Sequence, residues 1–155
     1  MRRIVQGIAW WIAAGGGVGL VPVAPGTAAS AVAALIGAGL LALGWKMLAV
    51  AAVAASLGGV WAIGAAAIEG DPGFVVIDEV AGMWIALLGL ARPGWWGVAA
   101  AFVLFRVLDI AKPGPVGWAD RKGGAWGVMG DDLIAGAVVA VVLWGVRMGW
   151  PGVFG

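Results

Sequence analysis

The sequence predicts an all-α polytopic membrane protein with about five membrane-embedded helices and a short interfacial helix at its N-terminus. Hydrophobic residues make up 63% of the 155-residue chain and charged residues 11%, where a soluble domain carries about 25% charged. The apolar residues fall in long runs with no period-two alternation, so strands are not expected. A domain of this length buries only about 70% of the surface its unfolded chain exposes, too little to hide so much apolar area from water. Lipid is the expected solvent. By length, residues 1–155 form a single domain with no room for a second core.

Arg2 and Arg3 precede an apolar run over 4–14. A cleaved signal peptide shares that outline, but Gln6 and Gly7 interrupt the run, and Trp10 and Trp11 suit a helix anchored at headgroup level. Residues 27–44 and 47–68 form two long apolar segments parted at Lys46. At about 1.5 Å per residue each reaches across a hydrocarbon core of roughly 30 Å, the first only just. Gly37, Gly39, Gly58 and Gly59 favour close packing of these helices. Segments 80–91 and 97–108 are short for a crossing, and Arg92, Pro93 and Gly94 turn the chain between them. A tilted or packed helical hairpin is expected there rather than one broken helix. The last segment, 133–148, runs to Trp150 and Pro151.

With the N-terminus in the cytoplasm, five crossings place the loops at 15–26, 69–79 and 109–132 on that side. Arg2, Arg3, Arg106, Lys112, Arg121 and Lys122 then lie inside, against Lys46, Arg92 and Arg147 outside, as the excess of cytoplasmic positive charge requires. All the acids, Glu69, Asp71, Asp78, Glu79, Asp109, Asp120, Asp131 and Asp132, fall on the same face. One polar site is implied, and it depends on the hairpin: a single continuous helix over 80–108 would send the last polar loop to the opposite side.

A net charge of +1 offers no surface for nucleic acid. Cysteine and histidine are both absent, which removes thiolate chemistry, the commonest general base and the usual zinc ligands. Chemistry is left to carboxylates, Lys, Arg, hydroxyls, backbone amides and a hard metal ion.

Three stretches concentrate those groups. GGGVGLVPVAPGTAAS, at 15–30, leads through a Pro-Gly turn into a helix beginning near Thr27. Its free amides and dipole face an anion, or Thr27 simply caps the helix. In EGDPGFVVIDEVAGMW, at 69–84, Asp78 and Glu79 precede a hydrophobic helix. They are either first-turn acids facing the dipole or hard oxygen ligands of the kind that suit Mg2+. The third stretch is FRVLDIAKPGPVGWADRKGGAWGVMGDDLIAG, at 105–136. Arg106, Asp109 and Lys112 are spaced to pair along one helix face, which Pro113 and Pro115 end. Asp131 and Asp132 read as a helix start, either capping it or facing the first carboxylates across the bundle. Ionisable groups beside membrane segments point to function by default, and this inventory fits phosphoryl chemistry.

The order of these motifs, above all FRxxDxxKPxP followed by Asp120 and then GGxxGVMxDD, resembles the phosphatidylglycerophosphatase A family over roughly 15–136. The resemblance implies an all-helical enzyme of the bacterial inner membrane with its site on the cytoplasmic side. It would convert phosphatidylglycerophosphate to phosphatidylglycerol and phosphate in a Mg2+-dependent step of phospholipid biosynthesis. It further implies Asp78, Glu79, Asp109, Asp131 and Asp132 as Mg2+ ligands or as the base that activates water. Arg106 and Lys112 are the implied phosphate clamps, with Thr27 beside them. The glycine-rich segment 117–124 departs from the family pattern, and Asp120, Arg121 and Lys122 stay outside the candidate set. A small membrane transporter or channel with a one-sided acidic cluster is the alternative, though transport sites are expected nearer the bilayer midplane.

Overall fold

Proline, glycine and the scarce charges punctuate the apolar runs, and the helices start and stop at them. In the computed structural model, which describes residues 1–154, every regular element is helical. Helix α1 spans Arg2–Ala13 and is followed by a 3-10 helix, Gly15–Leu20. Then come α2 (Pro25–Leu43), α3 (Trp45–Ala65), α4 (Ile77–Leu87), α5 (Trp95–Ala111), α6 (Pro115–Asp120) and α7 (Gly124–Gly149).

Helix α1 buries Ala9 and Ala13 against Ala62 and Ile63 of α3 and exposes Ile4, Ile8, Trp11 and Ile12. That outward stripe, at i, i+4, i+7 and i+8, is apolar. Pro25 opens α2 at a position where its missing N–H costs nothing. Gly44, with φ 136°, makes the turn into α3 that a side chain would strain.

Among the described residues three helices, α2, α3 and α7, are long and apolar enough to cross a membrane, fewer than the five crossings expected. Helix α4 has 11 residues and α5 has 17, or about 16 and 25 Å of rise. The chain leaves α4 early because Leu88, Gly89 and Leu90 turn to bonds on Ile85, Ala86 and Leu87, the tightened i→i−3 pattern common at helix ends. The hairpin itself is present. Gly82 lies against Phe105, and Leu90 against Gly97, so α4 and α5 run antiparallel about the turn at Arg92, Pro93 and Gly94.

Helix α7 begins at Gly124, well before the expected start at 133. Gly127 and Gly130 each cost about 1 kcal/mol of helix propensity, but α6 packs across these first two turns, with Ala119 facing both glycines. Tertiary contact therefore carries the helix through residues that read as a loop.

The short α4 is the centre of the bundle, between α2, α3, α5 and α7. A Cβ on Gly136 would run into the carbonyl of Gly82, and one on Gly82 would lie 2.6 Å from the carbonyl of Asp132. Further along, Gly89 abuts Ala140. The matched register makes α4 and α7 parallel, with backbones in contact. On the other flank Gly59 of α3 receives Met129, whose sulfur would be 2.6 Å from a Cβ there.

Gly136→Ala is expected to destabilise the protein by about 1–3 kcal/mol through overpacking. Gly58→Ala, where a Cβ meets nothing within 4 Å, is expected to be neutral or to gain up to about 1 kcal/mol. Thermal unfolding of both variants in detergent checks the pair, and equal behaviour would contradict the close crossing.

Candidate active site

Because α4 and α7 are parallel and in contact, their acidic pairs meet: Asp78 and Glu79 stand beside Asp131 and Asp132. Helix α5, antiparallel to α4, delivers Arg106 and Asp109 from its far end, and the first turn of α2 closes the side with Gly26 and Thr27. These groups line a half-open cavity of about 370 Å³ together with Lys112 and Asp71. Every candidate residue read from the sequence, Asp78, Glu79, Asp109, Asp131, Asp132, Arg106, Lys112 and Thr27, is in its lining.

The capping alternatives fare unevenly. Thr27 lies inside the first turn of α2, whose N-cap is Ala24 in a left-handed conformation with no side-chain cap. Asp131 and Asp132 lie about two turns into α7, so they cap nothing. Asp78 and Glu79 do occupy the first turn of α4, where the helix dipole favours negative charge.

Asp78, Asp131 and Asp132 are buried. Asp78 Oδ1 accepts the Glu79 N–H at 3.0 Å, and Asp131 Oδ1 accepts the Asp132 N–H at 3.0 Å. Arg106 forms an ion pair with Asp109 one turn along α5, the pairing expected from their spacing. Its Nη1 also reaches Ser30 Oγ at 3.4 Å, while the buried Ser30 hydroxyl donates to the Gly26 carbonyl at 2.8 Å. Gly26 lets α2 approach Glu79 closely: a Cβ there would press on Glu79 Oε1 and the side chain would have to shift.

Lys112 departs from the expected helix-face pairing. Helix α5 ends at Ala111 ahead of Pro113, and Lys112 adopts a left-handed φ of 45°. Its ammonium therefore leaves α5 and bonds Asp120 of α6 and Asp131 of α7, the latter at 2.7 Å. Burial opposes its charge, but the two carboxylates outweigh that and hold its pKa above the ordinary lysine value.

Two participants were not among the candidates. Asp120 acts from α6 as the second partner of Lys112. Asp71, in the loop before α4, lines the cavity, and burial together with the nearby Asp131 charge raises its carboxyl above the usual range, against the pull of Lys112. The sequence signals for them were membership of the one-sided set of acids and a place in the stretches 69–84 and 105–136. Arg121 and Lys122 lie outside the lining, and Lys122 sits over the Trp118 ring at 4.4 Å.

The donor set fits a divalent cation. Asp78, Glu79 and Asp132 each place an oxygen within 4.8 Å of the others, and Asp109, Asp131 and Asp132 do the same. Asp132 belongs to both groups. Among the described residues, Glu79 Oε2 and Asp132 Oδ1 are buried with no hydrogen-bond partner, as is Arg106 Nε. Crowded, desolvated carboxylates repel strongly, and all-oxygen donors suit hard ions such as Mg2+ or Ca2+.

The family model described as Phosphatidylglycerophosphatase A matches residues 11–147. A Phosphatidylglycerophosphatase A of Escherichia coli (strain K12) is 38% identical over 144 residues, covering 90% of this chain and 84% of the relative. A protein of Bacteroides thetaiotaomicron named "Putative phosphatidylinositol-3-phosphatase" is 40% identical over 149 residues, covering 86% and 92%. A Phosphatidylglycerophosphatase A of Haemophilus influenzae is 33% identical over 141 residues, covering 88% and 86%. No solved structure matches the chain. With the family model spanning most of its length and relatives of that name aligned over most of both chains, the chain belongs to the phosphatidylglycerophosphatase A family.

Proposed function

We propose that this protein hydrolyses phosphatidylglycerophosphate to phosphatidylglycerol and inorganic phosphate, with Mg2+ held by the cavity carboxylates, as a step of phospholipid biosynthesis at the cytoplasmic face of the bacterial inner membrane. The observation that carries this reading is the meeting of five carboxylates from three helices, Asp78, Glu79, Asp109, Asp131 and Asp132, with Arg106 and Lys112 in one cavity of a mostly apolar bundle. The names of the relatives share a phosphate monoester on a phosphatidyl headgroup and differ in the polyol, glycerol or inositol. The phosphatidyl phosphate is thus the common element, and the glycerol headgroup follows the majority.

Asp78, Glu79 and Asp132 form one ligand group and Asp109, Asp131 and Asp132 the other. A bound Mg2+ supplies neutralisation of phosphate charge and a lowered pKa for nearby water. Arg106 and Lys112 hold phosphate oxygens, one as a planar fork and one as a point charge, and the first-turn amides at Gly26 and Thr27 add the positive end of α2. A carboxylate of the cluster takes the proton of the attacking water. The new P–O bond forms in line with the breaking bond to glycerol, whose oxygen leaves and is protonated. Ser30 and Asp109 fix the Arg106 guanidinium in place, and Asp120 and Asp131 fix the Lys112 ammonium.

Phosphate release from phosphatidylglycerophosphate, with and without Mg2+, tests the reading. Asp132→Asn and Lys112→Ala are each expected to lower kcat by about 100-fold or more, the scale of losing one charge-stabilising group in a preorganised site. Full activity in both variants rejects the site, and an inactive parent rejects the function.

A binding test independent of turnover reads the metal. Saturating Mg2+, at about 100 times its Kd, is expected to stabilise the folded protein by about 2.7 kcal/mol and to raise Tm. Asp132→Asn, which removes a ligand common to both groups, is expected to lose most of that rise. An identical Tm rise in parent and variant would place the ion elsewhere.

The first turn of α2 offers a steric check. Gly26→Ala presses on Glu79 and is expected to lower kcat at least about tenfold, since displacement of about 1 Å in a catalytic group can cost 100-fold. Unchanged turnover would show that Glu79 has room to move.

A further inference from the structure

Resting on the lipid-phosphatase reading above, we propose that an apolar groove beside the polar cavity, on a neighbouring face of α4 and further along α2, seats an acyl chain of the lipid whose phosphate enters that cavity. The same two helices line both spaces. On α2 the polar cavity takes Gly26 and Thr27, whereas the groove takes Val32 and Ile36; on α4 the cavity takes Asp78 and Glu79, and the groove Ile77, Val80 and Trp84. Ile77, Val80 and Trp84 are spaced i, i+3 and i+7 and so share one face of α4. The groove, about 270 Å³, is closed on its third side by the end of α1 and the 3-10 helix.

The groove is built rather than left over. Trp84 donates its indole N–H to the Ala33 carbonyl at 2.9 Å, which fixes the ring and spends the one polar side-chain atom in the wall. Behind it Gly37 leaves the space the ring needs, since a Cβ there would lie 2.8 Å from Trp84 Cδ1. Val32 and Ile36 on the rim are 40% and 51% exposed and belong to a helix long enough to cross a membrane. The open side therefore faces lipid along the flank of the bundle.

Polar headgroup and apolar chain lie in that order in a phospholipid, and polar cavity and apolar groove lie in that order along α2, side by side on α4. In a bilayer an acyl chain gains little from burial alone, because lipid tails are as apolar as the wall. The groove instead orients: a chain held beside Trp84 brings the phosphate to the carboxylates in one register.

Val32→Trp and Ile36→Trp in the full-length chain test the proposal, with Leu57→Trp, on the exposed side of α3, as control. Two substrates with one headgroup are compared: phosphatidylglycerophosphate with palmitoyl chains, and the deacylated glycerophosphoglycerophosphate. The groove variants are expected to lose about tenfold or more in kcat/KM on the long-chain lipid, the effect of a substrate held off its site. On the deacylated compound they are expected to stay within about twofold of the parent, while Leu57→Trp changes neither. Equal losses on both substrates, no loss on either, or an equal loss in Leu57→Trp overturns the groove assignment. Loss of a cross-linked dimer in Val32→Trp with chain preference unchanged also overturns it, by making the groove a contact between copies. A parent that is active on both substrates with failing groove variants separates this inference from the phosphatase reading; a parent inactive on both overturns both.

Discussion

Everything at the polar end of this bundle depends on the backbone contact between α4 and α7. Gly82 and Gly136 remove the side chains that would otherwise hold two helices 8–10 Å apart, and Gly89 against Ala140 continues the close approach. Small residues at such crossings are how helices associate in lipid, where the hydrophobic effect gives no net pull between them. The parallel register fixed there sets Asp78 and Glu79 level with Asp131 and Asp132. Helix α5 folds back with Phe105 against Gly82, and that return carries Arg106 and Asp109 to the same level.

A cluster like this is costly to assemble. Asp78, Asp131 and Asp132 are buried, Glu79 Oε2 and Asp132 Oδ1 have no hydrogen-bond partner among the described residues, and the nearby cations are already engaged. Arg106 is committed to Asp109, and Lys112 is shared by Asp120 and Asp131. Ion pairs of this kind seldom repay their own desolvation, so the bundle supports the cluster with packing energy from elsewhere. Structural need does not explain such an arrangement, because apolar residues of similar size would stabilise the bundle better. A ligand that brings positive charge does explain it.

Most of the site was legible because charges are scarce in this sequence, and each one beside an apolar run is conspicuous. The helical character, the hairpin turn at Arg92, Pro93 and Gly94, and the Arg106–Asp109 pairing followed from composition, turn chemistry and helix periodicity. What escaped was decided by tertiary contact. The glycines before Asp131 read as a loop by propensity, but α6 holds them in α7. Lys112 continues the i, i+3 spacing, yet its left-handed φ turns it away from Asp109 toward Asp120 and Asp131. Asp71 sits in a Pro-Gly turn that looks like any linker, and only the fold shows that the turn hangs over the cavity.

The shortfall in crossing helices and the position of the site have one cause. Helix α4 begins about three to seven residues, or roughly 5 to 10 Å, inside the N-terminal end of α7, so its dipole-bearing first turn is recessed inside the bundle rather than at its rim. A full-length crossing helix would carry that turn, and Asp78 with it, out to the surface. The shortened helix leaves a space that the loop bearing Asp71, the first turn of α2 and the Lys112 corner surround. Val76 ties this loop down by donating its N–H to the Ala13 carbonyl at 2.9 Å, and Phe74 stacks near Trp10 with ring centroids 5.2 Å apart. The amphipathic N-terminal helix thus braces the wall of the cavity, and the chain spends the length missing from α4 on enclosing a polar chamber beside the apolar flank where a lipid would lie.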